Sequence, residues 1–211
     1  MKKTIIAATM ALGMGLSAMA QSTNPLLERR YNTPYEIPPF EKITTDNYRE
    51  AFLRGMEEQK KEIDAIVDNP AAPTFQNTIA ALDRSGRLLS RTAGVFYGLS
   101  RSCSTPELQN LESELSPLLS AHSDYMNMNE GLFLRVKAVY DGQDKLNLNT
   151  EEKRLLEKTY KGFVRGGAML DNAKKQRRSE INQQLAKLQL QFNQNLMHDT
   201  NNSYVTVSDA K

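Results

Sequence analysis

An all-α fold is predicted for this 211-residue chain by three observations. Apolar residues recur every three or four positions in successive segments. Those segments are opened and closed by residues that cap or break helices. Only one short stretch, 204–208, alternates as a strand does.

The first twenty residues read as a targeting segment outside the fold. Lys2 and Lys3 precede a mostly apolar run from Thr4 to Leu16, and Ala18-Met19-Ala20 offers the small residues that a signal peptidase accepts. Cleavage is expected before Gln21. The alternative, an uncleaved anchor, fits less well, because the run is interrupted by Gly13, Gly15 and Ser17 and is shorter than the roughly 20 apolar residues of a spanning helix. No cysteine lies near the cleavage site, which speaks against a lipid anchor. Export is therefore expected, to the periplasm if the source is a Gram-negative bacterium.

Residues 21–44 read as an extended arm. Pro25, Pro34, Pro38 and Pro39 remove backbone donors and push their preceding residues into extended geometry. Leu26, Leu27, Tyr31, Tyr35, Ile37 and Phe40 make the arm apolar enough to pack along something. A helical region of residues 45–200 follows. The first helix is expected from Asp46 to Val67, with Tyr48, Phe52, Met56 and Ile63 on one face, and Asn69–Pro73 ends it. Thr74 caps a second helix that continues through Ile79, Leu88, Val95 and Leu99. Thr105, Pro106 and Glu107 open a third, whose stripe is Leu108, Leu111, Leu115, Leu118, His122 and Tyr125.

A short fourth helix from Glu130 to Tyr140 stops at Asp141-Gly142. Thr150 opens the fifth, with Glu151 and Glu152 suiting the positive end of its dipole. Asp171 caps the sixth, in which Ile181, Leu185, Leu188, Phe192 and Leu196 form a narrow seam of the kind found in antiparallel helical hairpins. Residues 201–211 then read as the start of a strand, with Val205 and Val207 on one face. A strand needs a partner for its backbone groups, and no other segment offers one.

The chain has 27 Lys+Arg against 25 Asp+Glu. Loss of Lys2 and Lys3 with the targeting segment brings the balance to zero. Nucleic-acid binding needs clustered positive charge, and the one basic cluster (Lys174, Lys175, Arg177, Arg178) reads as a solvated helix face. Cys103 is the single cysteine, so no internal disulfide can form. With no histidine near it in sequence, it reads as a free thiol at a helix end.

No self-contained catalytic or metal site emerges. His122 and His198 are the two histidines, and neither starts a pair of zinc ligands one helical turn apart. His122 lies in an apolar stripe and reads as a hydrogen-bonded core histidine. His198 sits beside Asp199 at a polar helix terminus. Gly162, Gly166 and Gly167 fall within a helical pattern and not after a strand, so they form no phosphate cradle, although they could let a neighbouring helix approach. The pairs Glu57-Glu58 and Glu112/Glu114 read as solvated faces. No catalytic, cofactor-binding or metal-ligating residue is assigned.

The sequence nonetheless resembles one family. Asn24–Leu27, Pro38-Pro39-Phe40-Glu41-Lys42-Ile43, and Asn47–Phe52 running on to Gly55-Met56 carry the resemblance through the arm and first helix. It continues in Asn69-Pro70, Pro73-Thr74-Phe75-Gln76-Asn77-Thr78-Ile79 and Leu82–Gly86. Further matches are Leu118–Asp124, Leu132–Val136, Phe163–Ala168 and Leu190–Leu196. In order and spacing these stretches are similar to the bacterial peptidyl-dipeptidase and oligopeptidase A group of zinc metallopeptidases, relatives of thimet oligopeptidase, and most similar to the peptidyl-dipeptidase branch.

The resemblance implies a multi-helix N-terminal region of a channel-forming, zincin-type oligopeptidase, one wall of a deep channel admitting short peptides. It also implies that the catalytic half of the same chain is the missing partner. In such enzymes a His-Glu-x-x-His helix and a downstream glutamate hold one zinc ion. This sequence contains no such motif, so no catalytic residue carries over and the fragment alone is expected to be inactive and free of zinc. The rival expectation is a stand-alone periplasmic helical module that binds peptides or acts as a chaperone.

Overall fold

A computed structural model describes residues 24–206. Residues 1–23, which include the expected targeting segment, and residues 207–211 lie outside the described residues, and with them Val207 and Ser208 of the expected strand.

The described residues are all-α, with no strand among them. Helix α1 (Thr45–Val67) is followed by a π-helical turn, Phe75–Ile79, that runs into α2 (Ala80–Arg84). Then come α3 (Arg87–Ser102), α4 (Pro106–Asn127), α5 (Glu130–Asp141), α6 (Thr150–Gly166) and α7 (Asn172–Asn202). The starts follow local chemistry. Thr44 accepts a hydrogen bond from the Asn47 backbone while the Asn47 side chain accepts one from the Thr44 backbone. Thr74 and Asn77 repeat this reciprocal box at the π-helical turn. Each box satisfies donors that a helix start would otherwise leave orphaned.

Two expectations need correction. The helix expected to run from Thr74 through Leu99 breaks at Ser85-Gly86. Gly86 takes a left-handed φ of 67°, and a Cβ there would lie 2.3 Å from Gln59 Nε2, so only glycine fits the corner. Helix α6 opens at Thr150 as expected, and Asn149 before it caps the helix in a box with Glu152. Residues 203–206 adopt no regular structure, and Tyr204 and Val205 are exposed. No edge among the described residues is available to pair them as a strand.

Helix α1 runs through the centre and takes part in two cores. Near its start, Tyr48, Ala51 and Phe52 pack with Leu26 of the arm, Phe96 of α3, and Leu108, Leu111 and Leu115 of α4. Phe96 receives Tyr48, Phe52 and Tyr97 edge-on, at ring separations of 5.2, 5.4 and 5.2 Å, the geometry the ring quadrupole favours. About three turns further on, Ile63 and Ile66 pack with Phe75 and Ile79, with Leu132, Val136 and Val139 of α5, and with Leu156 and Phe163 of α6. Between the two, α3 crosses α1 at Gly55, where an added Cβ would sit 2.9 Å from Leu89 Cα.

The arm is fastened and not extended throughout. It makes three short 3-10 turns, and Leu26 and Tyr31 are buried while Tyr35, Ile37 and Phe40 are exposed. Asn24 donates from Nδ2 to the Asn47 carbonyl at 2.8 Å and to Glu50 at 3.0 Å. Arg91 of α3 donates to the carbonyls of Leu26 (2.9 Å) and Arg29 (2.8 Å) and lies over the Tyr31 ring. On the outer side, Arg49 of α1 grips Glu114 of α4 through two nitrogens at 2.9 to 3.1 Å.

Phe52 is fully buried, whereas its neighbour Leu53 is 45% exposed. Phe52→Ala is expected to cost about 3–5 kcal/mol of unfolding free energy. Leu53→Ala should change it by about 0.5 kcal/mol or less. Urea denaturation followed by helical circular dichroism measures both.

Candidate functional surface

The residues singled out by sequence do not converge. His122 is buried on α4, and its Nε2 lies 2.8 Å from Gln59 Oε1 on α1. Gln59 Nε2 in turn donates to Ser85 Oγ at 3.2 Å, at the break between α2 and α3. His122 therefore belongs to a polar tie between helices, as a core histidine should. Burial is the main cause that holds its pKa below the ordinary 6.5, with the nearby Lys60 charge adding to it.

His198 is exposed near the end of α7, 3.7 Å from Asp199 and 3.1 Å from Asn202 Nδ2. Cys103 is exposed at the C-terminal cap of α3. Gly162 meets no neighbour within 4 Å, but Gly166 lies against Asn127 at the end of α4, so close helix approach occurs at one of the two. Gly167 ends α6 in the left-handed conformation. Lys174 and Arg177 form surface ion pairs with Asp171 and Glu180. Glu57 pairs with Lys61 and Glu58 with Arg54, also at the surface. Glu112 differs, because burial pushes its carboxyl up against the opposing pull of Arg101. Among the described residues no group of three or more His, Cys, Asp or Glu side chains could hold a metal ion. No helix among them is long and apolar enough to cross a membrane.

The Pro73–Ile79 stretch, which carries much of the family resemblance, has a structural explanation. Arg135 of α5 is buried and donates to the carbonyls of Asn69 (2.8 Å) and Ala71 (3.1 Å). Asn77 Nδ2 donates to the Ala72 carbonyl at 2.9 Å. One arginine and one asparagine thus hold the loop between α1 and the π-helical turn. Arg135 was not singled out for this role by sequence, since a lone Arg on a short helix has no local signal of its partners.

The surface least like an ordinary protein exterior is α7. The helix lies along α4, joined by Asn182 Nδ2 to Asp124 Oδ1 at 2.7 Å. Beyond Ser179 its least exposed positions are Asn182, Ala186, Leu190, Gln194 and Met197, a stripe of three apolar and two polar residues. A groove of about 650 Å³ runs between the two helices, lined by Ser113, Pro117, Gln183, Lys187 and Gln194 among others. A second hollow, of about 400 Å³, continues it towards Tyr97, Arg101 and Glu112 and shares Leu190 and Gln194.

The seam expected to pack as in a helical hairpin does not. Ile181, Leu185, Leu188, Phe192 and Leu196 are 40, 48, 61, 65 and 55% exposed. At 100° per residue they lie roughly 140° round the helix from the stripe that meets α4. The pattern was legible in the sequence, but its partner was not.

No family model matches the chain. Individual relatives do, and they are peptidases. Dipeptidyl carboxypeptidase of Salmonella typhimurium is 40% identical over 189 residues, covering 90% of this chain and 28% of that protein. The dipeptidyl carboxypeptidase of Escherichia coli is 38% identical over 88% of this chain and 27% of its own length. Oligopeptidase A of Escherichia coli is 29% identical over 84% of this chain and 25% of its own. The chain is thus a homologue of the dipeptidyl carboxypeptidase and oligopeptidase A group, and it spans about a quarter of the length of these relatives.

The buried, neutral His122 makes a prediction about pH. Its folded pKa lies below its ordinary value, so the unfolded chain binds the proton more readily. The stability tied to it is complete above pH 6.5 and is lost as pH falls below that value. Thermal melting measured between neutral pH and the onset of carboxylate titration should show this decline. His122→Gln should flatten it.

Proposed function

We propose that this chain is the helical N-terminal part of an exported zinc metallopeptidase that hydrolyses short peptides and releases dipeptides from their C-termini. The carrying observation is the 40% identity to dipeptidyl carboxypeptidase across nine-tenths of the chain, combined with coverage of little more than a quarter of that relative. In this reading residues 1–20 direct export, the 21–44 arm and the 45–200 helices form a scaffold, and residues 201–211 lead into the catalytic portion. Zinc, when bound by that portion, polarises the scissile carbonyl and activates a water molecule.

The contribution of this chain is shape. Its helices are tied to one another by buried side chains, so they can hold one wall of a substrate channel and exclude folded proteins and bulk water. Short peptides are the substrate class of the whole enzyme.

A second reading, a stand-alone periplasmic module that binds peptides, draws on the groove between α4 and α7. Its serine and glutamine side chains could pair with peptide backbone groups. Calorimetric titration of the 211-residue chain with short peptides would detect that binding directly.

The test of the main reading is a comparison of the 211-residue chain with the product of its complete gene. The complete product is expected to release C-terminal dipeptides from a fluorogenic peptide, to lose that activity to a chelator and to regain it with zinc. The 211-residue chain should show no turnover. Chelator-sensitive hydrolysis by the short chain alone would overturn the reading.

A further inference from the structure

The five-residue seam on α7 is too ordered and too bare to be an ordinary helix exterior. It extends over about 22 Å at 1.5 Å per residue, and its 4-3-4-4 spacing is that of helices which pack side by side. Its flanks are also unusual. Between Glu180 and Asp199 the only Lys, Arg, Asp or Glu is Lys187, and Gln184, Gln189, Asn193 and Asn195 border the apolar residues. Helix α1, by contrast, turns Arg54, Glu57, Glu58 and Lys61 to solvent as paired charges. A face that stays wet gains solubility from charge. Burial of a face is cheapest when no charge must be desolvated, and the centres of interfaces are depleted of charge for that reason.

On the reading that this chain is part of a longer peptidase, we propose that Ile181, Leu185, Leu188, Phe192 and Leu196 form the surface on which an amphipathic helix of the catalytic portion packs. Three observations select this occupant. Nearly three quarters of the length of dipeptidyl carboxypeptidase lies outside the stretch this chain matches. The opposite stripe of α7 is already taken by α4. The seam is a narrow stripe, the width of a two-helix contact rather than the broad face an element turns to a larger core. The seam would then fix the angle of the catalytic portion against the wall formed by α4 and α7, and so the width of the channel between them.

Hydroxyl-radical labelling followed by mass spectrometry tests this on the 211-residue chain and on the complete gene product. Leu188 and Phe192 should label strongly in the short chain and lose that labelling in the complete product. Leu111, buried in both, serves as the control. Sedimentation of the short chain should show a monomer. The double variant Leu188→Glu/Phe192→Glu should leave the melting temperature of the short chain unchanged and lower that of the complete product.

Equal labelling of the seam in both proteins would overturn the proposal, as would a gene that ends at Lys211 with the seam still labelled. Protection in the short chain together with a dimer mass would assign the seam to a second copy. Peptide hydrolysis is measured separately. Hydrolysis with an unprotected seam removes the docking proposal and leaves the peptidase reading intact, whereas a protected seam without hydrolysis does the reverse.

Discussion

The structure depends on one helix being buried at both ends against different neighbours. Helix α1 gives Tyr48, Ala51 and Phe52 to a core with the arm, α3 and α4, and gives Ile63 and Ile66 to a core with α5, α6 and the π-helical turn. Neither core is closed without it. Because a protein interior is packed nearly as densely as an organic crystal, the position of Phe96 against Phe52 also fixes where α3 lies. The position of Val136 against Ile63 likewise fixes α5. The polar ties then select register within that arrangement. Arg49 to Glu114, Gln59 to His122 and Tyr125 to Asp64 all join α1 to α4.

The loops matter as much as the helices. Residues 68–74 could follow many paths, yet Arg135 and Asn77 capture their carbonyls. A buried guanidinium that serves only carbonyls and an amide is held by geometry, and it fixes the path of the loop past α5. At the other corner, Gly86 N donates to Glu62 at 2.7 Å, so the break between α2 and α3 is tied back to α1 as well. The chemistry of these stretches is that of positions that hold the scaffold together.

The helices were legible because their caps are local. Thr44, Thr105, Asn129 and Asp171 each accept the hydrogen bond that a helix start requires, and Pro106 sits where its missing donor does no harm. The break at Gly86 was hidden, because apolar residues keep their helical spacing across it and the left-handed φ depends on Gln59 and Glu62 from another helix. The seam on α7 was read correctly as a seam and wrongly as packed, since periodicity reports what a face is suited to and not what covers it. The expected strand at 204–208 rested on two alternating valines. Its described part is unpaired chain, which a short β-like pattern cannot exclude on its own. The surface reading was less legible still. No single residue marks it, and only the exposure of the seam, together with the polar contact to α4 on the other side, makes it visible.

Native-state hydrogen exchange in increasing urea addresses the central claim most directly. If α1 joins the two cores into one cooperative unit, the most protected amides of α3 and α4 should exchange with the same opening free energy and urea dependence as those of α5 and α6. A destabilising change at Phe52 should lower both sets together. Two separate isotherms, with the α5 and α6 amides unmoved by the change at Phe52, would contradict the account and make the two cores independent.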